Sequence, residues 1–370
     1  MGLRRSTVEG VVTGVDTAFW RGRRVFLTGH TGFKGSWLAL WLQQLGADVT
    51  GYALAPETER PSLFEAARVE NGMRSMLADV RDLDALSRAM REARPEIVLH
   101  LAAQSLVRRS YAEPVSTYAT NIMGTVHLLE SCRQAPSVRA VVVVTSDKAY
   151  ENREWPHAYR ESDAMGGHDP YSSSKGCAEL VTAAYRTSFF GSDGPGIASA
   201  RAGNVIGGGD WAEDRLIPDL IRGFTEGRTV PIRSPGATRP WQHVLEPLRG
   251  YLILAERLAT GPRDVAEGWN FGPTDRSVVT VRVVAEGVAR RWGGGELAFG
   301  SGGDGLHEAT FLGLDWGKAR ARLGWVPLLE LEEAIDLTVG WYRAYHSDPS
   351  RARELALGQI VAYASRGSSG

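Results

Sequence analysis

The sequence predicts an α/β protein: a doubly wound parallel sheet followed by a smaller, loop-rich C-terminal lobe. Three observations carry that expectation. Short β-branched runs alternate with amphipathic stretches from Arg23 to Ala200, a glycine-rich turn joins the first run to the first helix, and prolines crowd the chain beyond Gly203. Continuous apolar runs between helices indicate strands covered on both faces, which is how parallel sheets are built.

In chain order, residues 25–28 read as a strand, 37–45 as a helix, 48–52 as a strand and 83–93 as a helix. Residues 97–101 are strand-like, 120–132 helical, and 140–145 give the strongest strand signal, five of the six being apolar and four of them valine. Tyr171 opens a helix behind Pro170, residues 191–196 form a loop, and 197–200 make the last strand. Pro218, Pro231, Pro235, Pro240, Pro247, Pro262 and Pro273 then interrupt short mixed elements. A Rossmann-type nucleotide-binding domain is expected over 19–203, with 240–272 returning to it, and the second lobe mainly over 204–370. Residues 1–18 and about 360–370 are expected to be flexible.

Composition narrows the function. The 370 residues carry 42 basic against 43 acidic side chains, so there is no bulk electrostatic case for nucleic acid or an anionic membrane surface. No apolar run approaches the ~18 residues of a membrane span, and the first residues lack the apolar segment of a secretory signal. Two cysteines, Cys132 and Cys177, exclude a disulfide framework and fit a reducing, cytoplasmic setting. No His/Cys/Asp/Glu cluster has metal-ligand spacing, so no metal is expected. Only four lysines occur, Lys34, Lys148, Lys175 and Lys318, each a place to ask what an amine does that a guanidinium would not.

Thr28-Gly29-His30-Thr31-Gly32-Phe33-Lys34-Gly35 lies between a strand and a helix. Such a turn lets backbone approach a pyrophosphate and aims helix N–H groups at it, which points to a dinucleotide. The second strand ends without the acid that marks NAD or a basic cluster that marks NADP, so the choice stays open here. Asp79-Val80 would receive an adenine, or Asp79 would cap the following helix.

Tyr171 and Lys175 stand four apart and share one helical face. A neighbouring ammonium favours phenolate and lowers the phenol from about 10, as a base for an alcohol requires. The strand at 140–145 runs into Ser146-Asp147-Lys148 at the edge where ligands bind in such sheets. Ser146 can hydrogen-bond a hydroxyl, while Asp147 and Lys148 add acid–base capacity that simple alcohol oxidation does not need.

With GHTGFKG, HLAAQ (100–104), Asn121, TSDK (145–148), YSSSK (171–175), RAGNVIGGGD (201–210), RPWQHVLE (239–246) and WNFGP (269–273) in place, the chain resembles the extended short-chain dehydrogenase/reductases, the nucleotide-sugar epimerases and dehydratases. Its pattern is most similar to the branch acting on CDP-glucose. The resemblance implies tightly held NAD, contacted by Gly29, Thr31, Gly32, Phe33, Lys34, Gly35, Asp79, Val80, Leu101, Ala102, Ala103, Asn121, Thr145, Tyr171 and Lys175. It implies a nucleotide-diphosphate hexose bound by Gln104, Ser146, Asn204, Arg215, Leu216, Ile217, Arg239 and His307, with Arg239 on the diphosphate. Tyr171, helped by Lys175 and Ser146, would take the C4 hydroxyl proton, and Asp147 would protonate the hydroxyl leaving C6. Many relatives have glutamate after that acid where this chain has Lys148. A lysine near ~10.4 acts as a base only if strongly depressed, and otherwise steadies an enolate. The resemblance also implies a homodimer, or a homotetramer, through 120–132 and the helix after Tyr171. The rival readings are a 4-epimerase or keto-sugar reductase on the same scaffold, which need no acid at 147, and a non-catalytic dinucleotide-binding module.

Overall fold

The computed structural model describes residues 14–191, 194–261, 263–300 and 309–367. Its helices are α1 (Thr17–Trp20), α2 (Phe33–Gln44), α3 (Leu63–Ala66), α4 (Leu83–Ala93), α5 (Val107–Ala112), α6 (Pro114–Tyr118), α7 (Gly124–Arg133), α8 (Pro170–Phe189), α9 (Leu216–Thr225), α10 (Leu245–Thr260), α11 (Val281–Trp292), α12 (Gly317–Leu323), α13 (Leu331–Ser347) and α14 (Ala352–Gly367). The strands are β1 (Arg24–Thr28), β2 (Asp48–Ala53), β3 (Arg74–Leu77), β4 (Ile97–His100), β5 (Ala140–Val144), β6 (Gly196–Ala202), β7 (Asn204–Ile206), β8 (Val230–Ile232), β9 (Thr238–His243), β10 (Gly268–Phe271), β11 (Val278–Thr280) and β12 (Leu297–Phe299).

Seven strands form one parallel sheet in the order β10-β6-β5-β4-β1-β2-β3. Alternation along each strand explains its unbroken apolar sequence. Val25 and Leu27 of β1, with Val142 and Val144 of β5, pack on one face, in the cluster that includes residues of α2, α10 and α14. Phe26, Val141 and Val143 point to the other face, towards residues of α4 and α7. Every residue of β4, β5 and β6 is buried, as a sheet covered on both sides requires. The smaller sheets, β11-β9-β7 and β12-β8, build the lobe beside the C-terminal strand ends.

Several boundaries differ from expectation. Helix α2 starts at Phe33, four residues before the expected 37, so the last glycine of the turn already lies in its first turn. The stretch expected as one helix at 120–132 begins with a π-helical turn at Ala119–Met123. The strand at 196–202 is not the last, because β10 pairs outside it. Neither end of the described chain is loose as expected. Asp16 caps α1 through Ala18 N at 2.9 Å, and buried Trp20 donates to Glu256 Oε1 at 2.6 Å. At the far end α14 runs to Gly367, because Tyr363 packs on Trp41 and donates its hydroxyl to buried Glu246 at 2.8 Å. Residues 1–13 and 368–370 of those expected flexible ends lie outside the described residues.

Candidate active site

One cavity of about 880 Å³ runs from the glycine turn past the ends of β4 and β5 to α9 and β8. Every described candidate site residue lines it except Asn121; His307 lies outside the described residues.

At one end, β1 runs through the turn into α2. A Cβ on Gly35 would fall 2.0 Å from Gly29 O, and one on Gly29, at φ +75°, would fall 2.7 Å from Ala102 N. These two glycines let strand, turn and helix touch. Gly32 is the N-cap of α2 and offers no side chain to the helix start, so the first-turn N–H groups face the cavity. A 12-residue helix with an uncapped, glycine-lined N-terminus fits a dinucleotide pyrophosphate. Thr31 Oγ1 donates to Leu54 O at 2.9 Å and ties the turn to the end of β2. Asp79 holds Arg81 through the backbone N–H at 2.9 Å and the guanidinium at 2.8 Å, which pulls its carboxyl below the usual range. The helix after it is capped instead by Asp82, so the capping alternative for Asp79 fails.

Asn121 and Gln104, both expected ligands, turn their amides to partners within the protein. Asn121, buried in the π-helical turn, donates to Gln104 O at 2.9 Å and Ser174 Oγ at 2.8 Å and accepts from Gln104 N at 2.9 Å. Its side chain buckles the 104–106 loop to α8 and does not reach the cavity. Gln104 folds back on that loop, bonding Leu106 N at 2.6 Å and Thr117 Oγ1 at 3.0 Å.

The centre of the cavity lies where β5 meets α8. Ser146 Oγ donates to Asp147 Oδ1 at 2.9 Å and accepts from Lys148 N at 3.2 Å, shaping the short turn that carries all three residues. Asp147 is buried, and its Oδ2 has no partner among the described residues. Burial raises its pKa although Lys148, Ser146, Arg239 and Lys34 oppose the shift, so it favours the protonated acid. Asp169 caps α8 through Ser172 N at 2.9 Å, and Pro170 takes the first position, which seats Tyr171 and Lys175 on the inner face.

The expected lowering of the phenol pKa is not what the structure shows. Burial pushes Tyr171 up to about 12, ahead of the counteracting hydrogen bond with Ser146 and charge of Arg215. Lys175 Nζ donates to Val144 O at 3.3 Å, and burial together with Lys34 brings its own pKa down to about 8. In a dry site desolvation outweighs one cation. Lys34, from the glycine turn, is likewise lowered to about 8 by burial and Arg215, against Asp147 and Asp210.

The far end is lined by arginines. Arg215 stands just before α9 and donates to Asp210 Oδ2 at 2.9 Å and Ser105 Oγ at 2.8 Å. Arg239 is buried on β9 and donates to Thr238 O at 2.9 Å. Leu216, Ile217 and Asn204 complete this wall. Sequence reasoning missed Asp210, the partner of Arg215, and Glu179, the one acid in α8. A signal for Glu179 existed: it stands one helical turn past Lys175 in a segment otherwise free of acids. Among the described residues no group of three or more His, Cys, Asp or Glu side chains could hold a metal ion, and no helix is long and apolar enough to cross a membrane.

The family model described as the NAD dependent epimerase/dehydratase family matches residues 25–268. The CDP-glucose 4,6-dehydratase of Salmonella typhimurium is 53% identical over 336 residues, covering 90% of this chain and 93% of that protein. Among solved structures, MoeE5 in complex with UDP-glucose and NAD has a TM-score of 0.74 at 26% identity, covering 87% of this chain and 99% of its own. The dTDP-glucose 4,6-dehydratase DesIV of Streptomyces venezuelae, with NAD bound, has a TM-score of 0.73 at 25% identity, covering 88% and 99%.

Proposed function

Because the chain belongs to the NAD dependent epimerase/dehydratase family, we propose that it is a hydro-lyase converting CDP-glucose to CDP-4-keto-6-deoxyglucose and water. The observation that carries the dehydration step is Asp147: a buried carboxyl with one unpartnered oxygen and a raised pKa, in the cavity that also holds Ser146 and Tyr171. An epimerase or reductase has no use for a second acid there.

NAD held on the glycine turn would supply the acceptor for a hydride from C4 of the hexose and the donor of that hydride to C6. Gly29, Thr31, Gly32, Phe33, Lys34 and Gly35 would hold its pyrophosphate, Asp79 and Val80 its adenine side, and Leu101, Ala102, Ala103 and Thr145 its further course. Tyr171 takes the proton of the C4 hydroxyl, oriented by Ser146. Its high resting pKa means the ammonium of Lys175 must support the phenolate during the reaction. The C4 ketone acidifies the C5 proton; Lys148 in its neutral form is the base that removes it and gives a proton back to C5 as hydride arrives at C6. Asp147 delivers its proton to the hydroxyl leaving C6. Arg215 and Arg239 hold the diphosphate, for which planar guanidinium forks are suited. Leu216, Ile217 and Asn204 line the nucleotide-sugar path.

Two free cysteines support a reducing, cytoplasmic setting. Exposed Val115, Met123, Leu180 and Phe189 on α6 to α8 support a homodimer, which sedimentation of the purified protein measures.

The test is incubation with CDP-, dTDP-, GDP- and UDP-glucose without added cofactor. The expected outcome is an alkali-induced keto-sugar chromophore and loss of one water by mass with the CDP sugar. Epimerised product of unchanged mass, or a requirement for stoichiometric reduced cofactor, overturns the proposal.

A further inference from the structure

The acid of α8 takes no part in the chemistry above, yet it is fully bonded at the centre of the fold. Glu179 is only 5% exposed. Its Oε1 accepts from Thr145 Oγ1 and from Arg201 Nε at 2.8 Å, and its Oε2 accepts from Arg201 Nη2 at 2.7 Å and Ser199 Oγ at 2.5 Å. Arg201 Nη1 continues to the Tyr150 hydroxyl at 2.6 Å, which itself donates to Asn270 Oδ1 at 2.7 Å. A buried ion pair is weak evidence for stability in its own right, because desolvation cancels much of the attraction. Its position matters more. Thr145 immediately precedes Ser146 and Asp147, and the carbonyl of Val144, one residue earlier, accepts from Lys175 Nζ at 3.3 Å. Two successive residues at the end of β5 are thus gripped by two successive turns of α8. The acid that releases water lies just beyond one of these segments, and the phenolic base lies one turn back along the other.

We infer that Glu179 is a positioning residue for the reaction, clamping the end of β5 to α8 and so fixing the Ser146–Asp147 turn against the Tyr171–Lys175 pair. The inference rests on the function proposed above. Its carboxylate also faces the Lys175 ammonium, which in turn meets Lys34 from α2 and His100 from β4, while Arg201 from β6 holds the carboxylate from behind. Burial and Lys34 lower Lys175 to about 8, and Glu179 opposes them. Without that charge the ammonium deprotonates at lower pH.

Three variants of the full chain test the clamp. Thr145→Val removes one grip and leaves the Glu179–Arg201 pair intact, Glu179→Gln removes the charge, and Glu179→Asp keeps it on a shorter arm. We expect Thr145→Val to lower kcat about tenfold and Glu179→Gln about ten- to hundredfold, each with KM for CDP-glucose held within about twofold and the NAD content of the purified protein unchanged. In Glu179→Gln the alkaline limb of kcat moves down by about half a pH unit, and Glu179→Asp restores part of both losses. Wild-type kcat and an unmoved limb in Thr145→Val and Glu179→Gln overturn the inference, as does a loss confined to thermal stability. Should Glu179→Gln not fold, unchanged kcat in Thr145→Val is sufficient to overturn it. A wild type inactive on every sugar nucleotide brings down the function and the clamp together, whereas an active wild type with indifferent variants brings down the clamp alone.

Discussion

Where β5 meets α8, polar groups are bonded to one another inside the protein. In the lobe made by α9, β8 and β9 they are bonded provisionally. In the corner, Thr145, Ser146, Lys175, Glu179 and Arg201 all have protein partners and the Tyr171 phenol bonds Ser146, which leaves the Asp147 Oδ2 without a partner among the described residues. In the lobe, Arg215 holds Asp210, Arg222 holds Asp219 and Arg233 holds Asp214, with each arginine side chain about one-third exposed. The Arg222 and Arg233 pairs are wet on both sides, worth little, and exchange readily for a phosphate, which a guanidinium grips with two bonds, whereas buried Asp210 holds Arg215 more firmly. The corner is therefore set before the substrate arrives, and the lobe changes partners to receive it. Damage to the first falls on kcat, and damage to the second on KM.

The largest effect expected is from Tyr171→Phe, which removes the base and lowers kcat about 10³- to 10⁴-fold without loss of sugar-nucleotide binding by calorimetry. A comparable loss of affinity would break the division. Asp147→Asn ranks next, slowing water loss about 10²- to 10³-fold while C4 oxidation proceeds. The near-ultraviolet absorbance of reduced nicotinamide should then build up in single turnover, and its absence would deny Asp147 a role confined to elimination. Its neighbour supplies a check of similar size: Lys148→Ala should slow solvent exchange at C5 about 10²-fold, and exchange at the normal rate removes Lys148 as the base. On the lobe side, Arg239→Ala should raise KM about 10- to 100-fold and change kcat by less than about threefold. The smallest effect is in pH. Lys175 loses its proton as pH rises through about 8, so the cation supporting the phenolate is present below that value and lost above it. The value of kcat should fall on the alkaline side while KM stays level, since arginines remain charged throughout. If KM follows kcat, the two regions are not separable.

The same contrast decides what could be read from the chain. The glycine turn, Ser146-Asp147-Lys148 and the Tyr171–Lys175 pair are contiguous, and each consists of residues whose spacing alone places them on one turn or one helical face. The parallel sheet followed from unbroken apolar runs such as Ala140–Val144. What escaped notice depends on long-range pairing. Glu179 meets Arg201 and Thr145 across 22 and 34 residues, so its spacing from Lys175 is visible in the chain but its grip on the end of β5 is not. Asn121 fits the family pattern, but the π-helical turn directs its amide to Gln104 and Ser174, and nothing in its neighbours announces that turn. The phenol pKa was misjudged because spacing reveals a neighbouring cation and conceals how dry the site is. Residues from about 360 onward are expected to be flexible by their terminal position, whereas Tyr363 is anchored to Glu246, 117 residues away.

Helix α14 also bears on the order of assembly. Arg353 reaches Gln43 of α2 across 310 residues of chain, and Tyr363 covers Trp41 on the same helix. On a ribosome, α2 emerges long before the segment that shields its outer side. Until that segment arrives a tryptophan face lies open to water, and a chaperone has something to hold. The glycine turn at the head of α2 can thus be shaped early, while the roof over the helix behind it is among the last pieces to be laid.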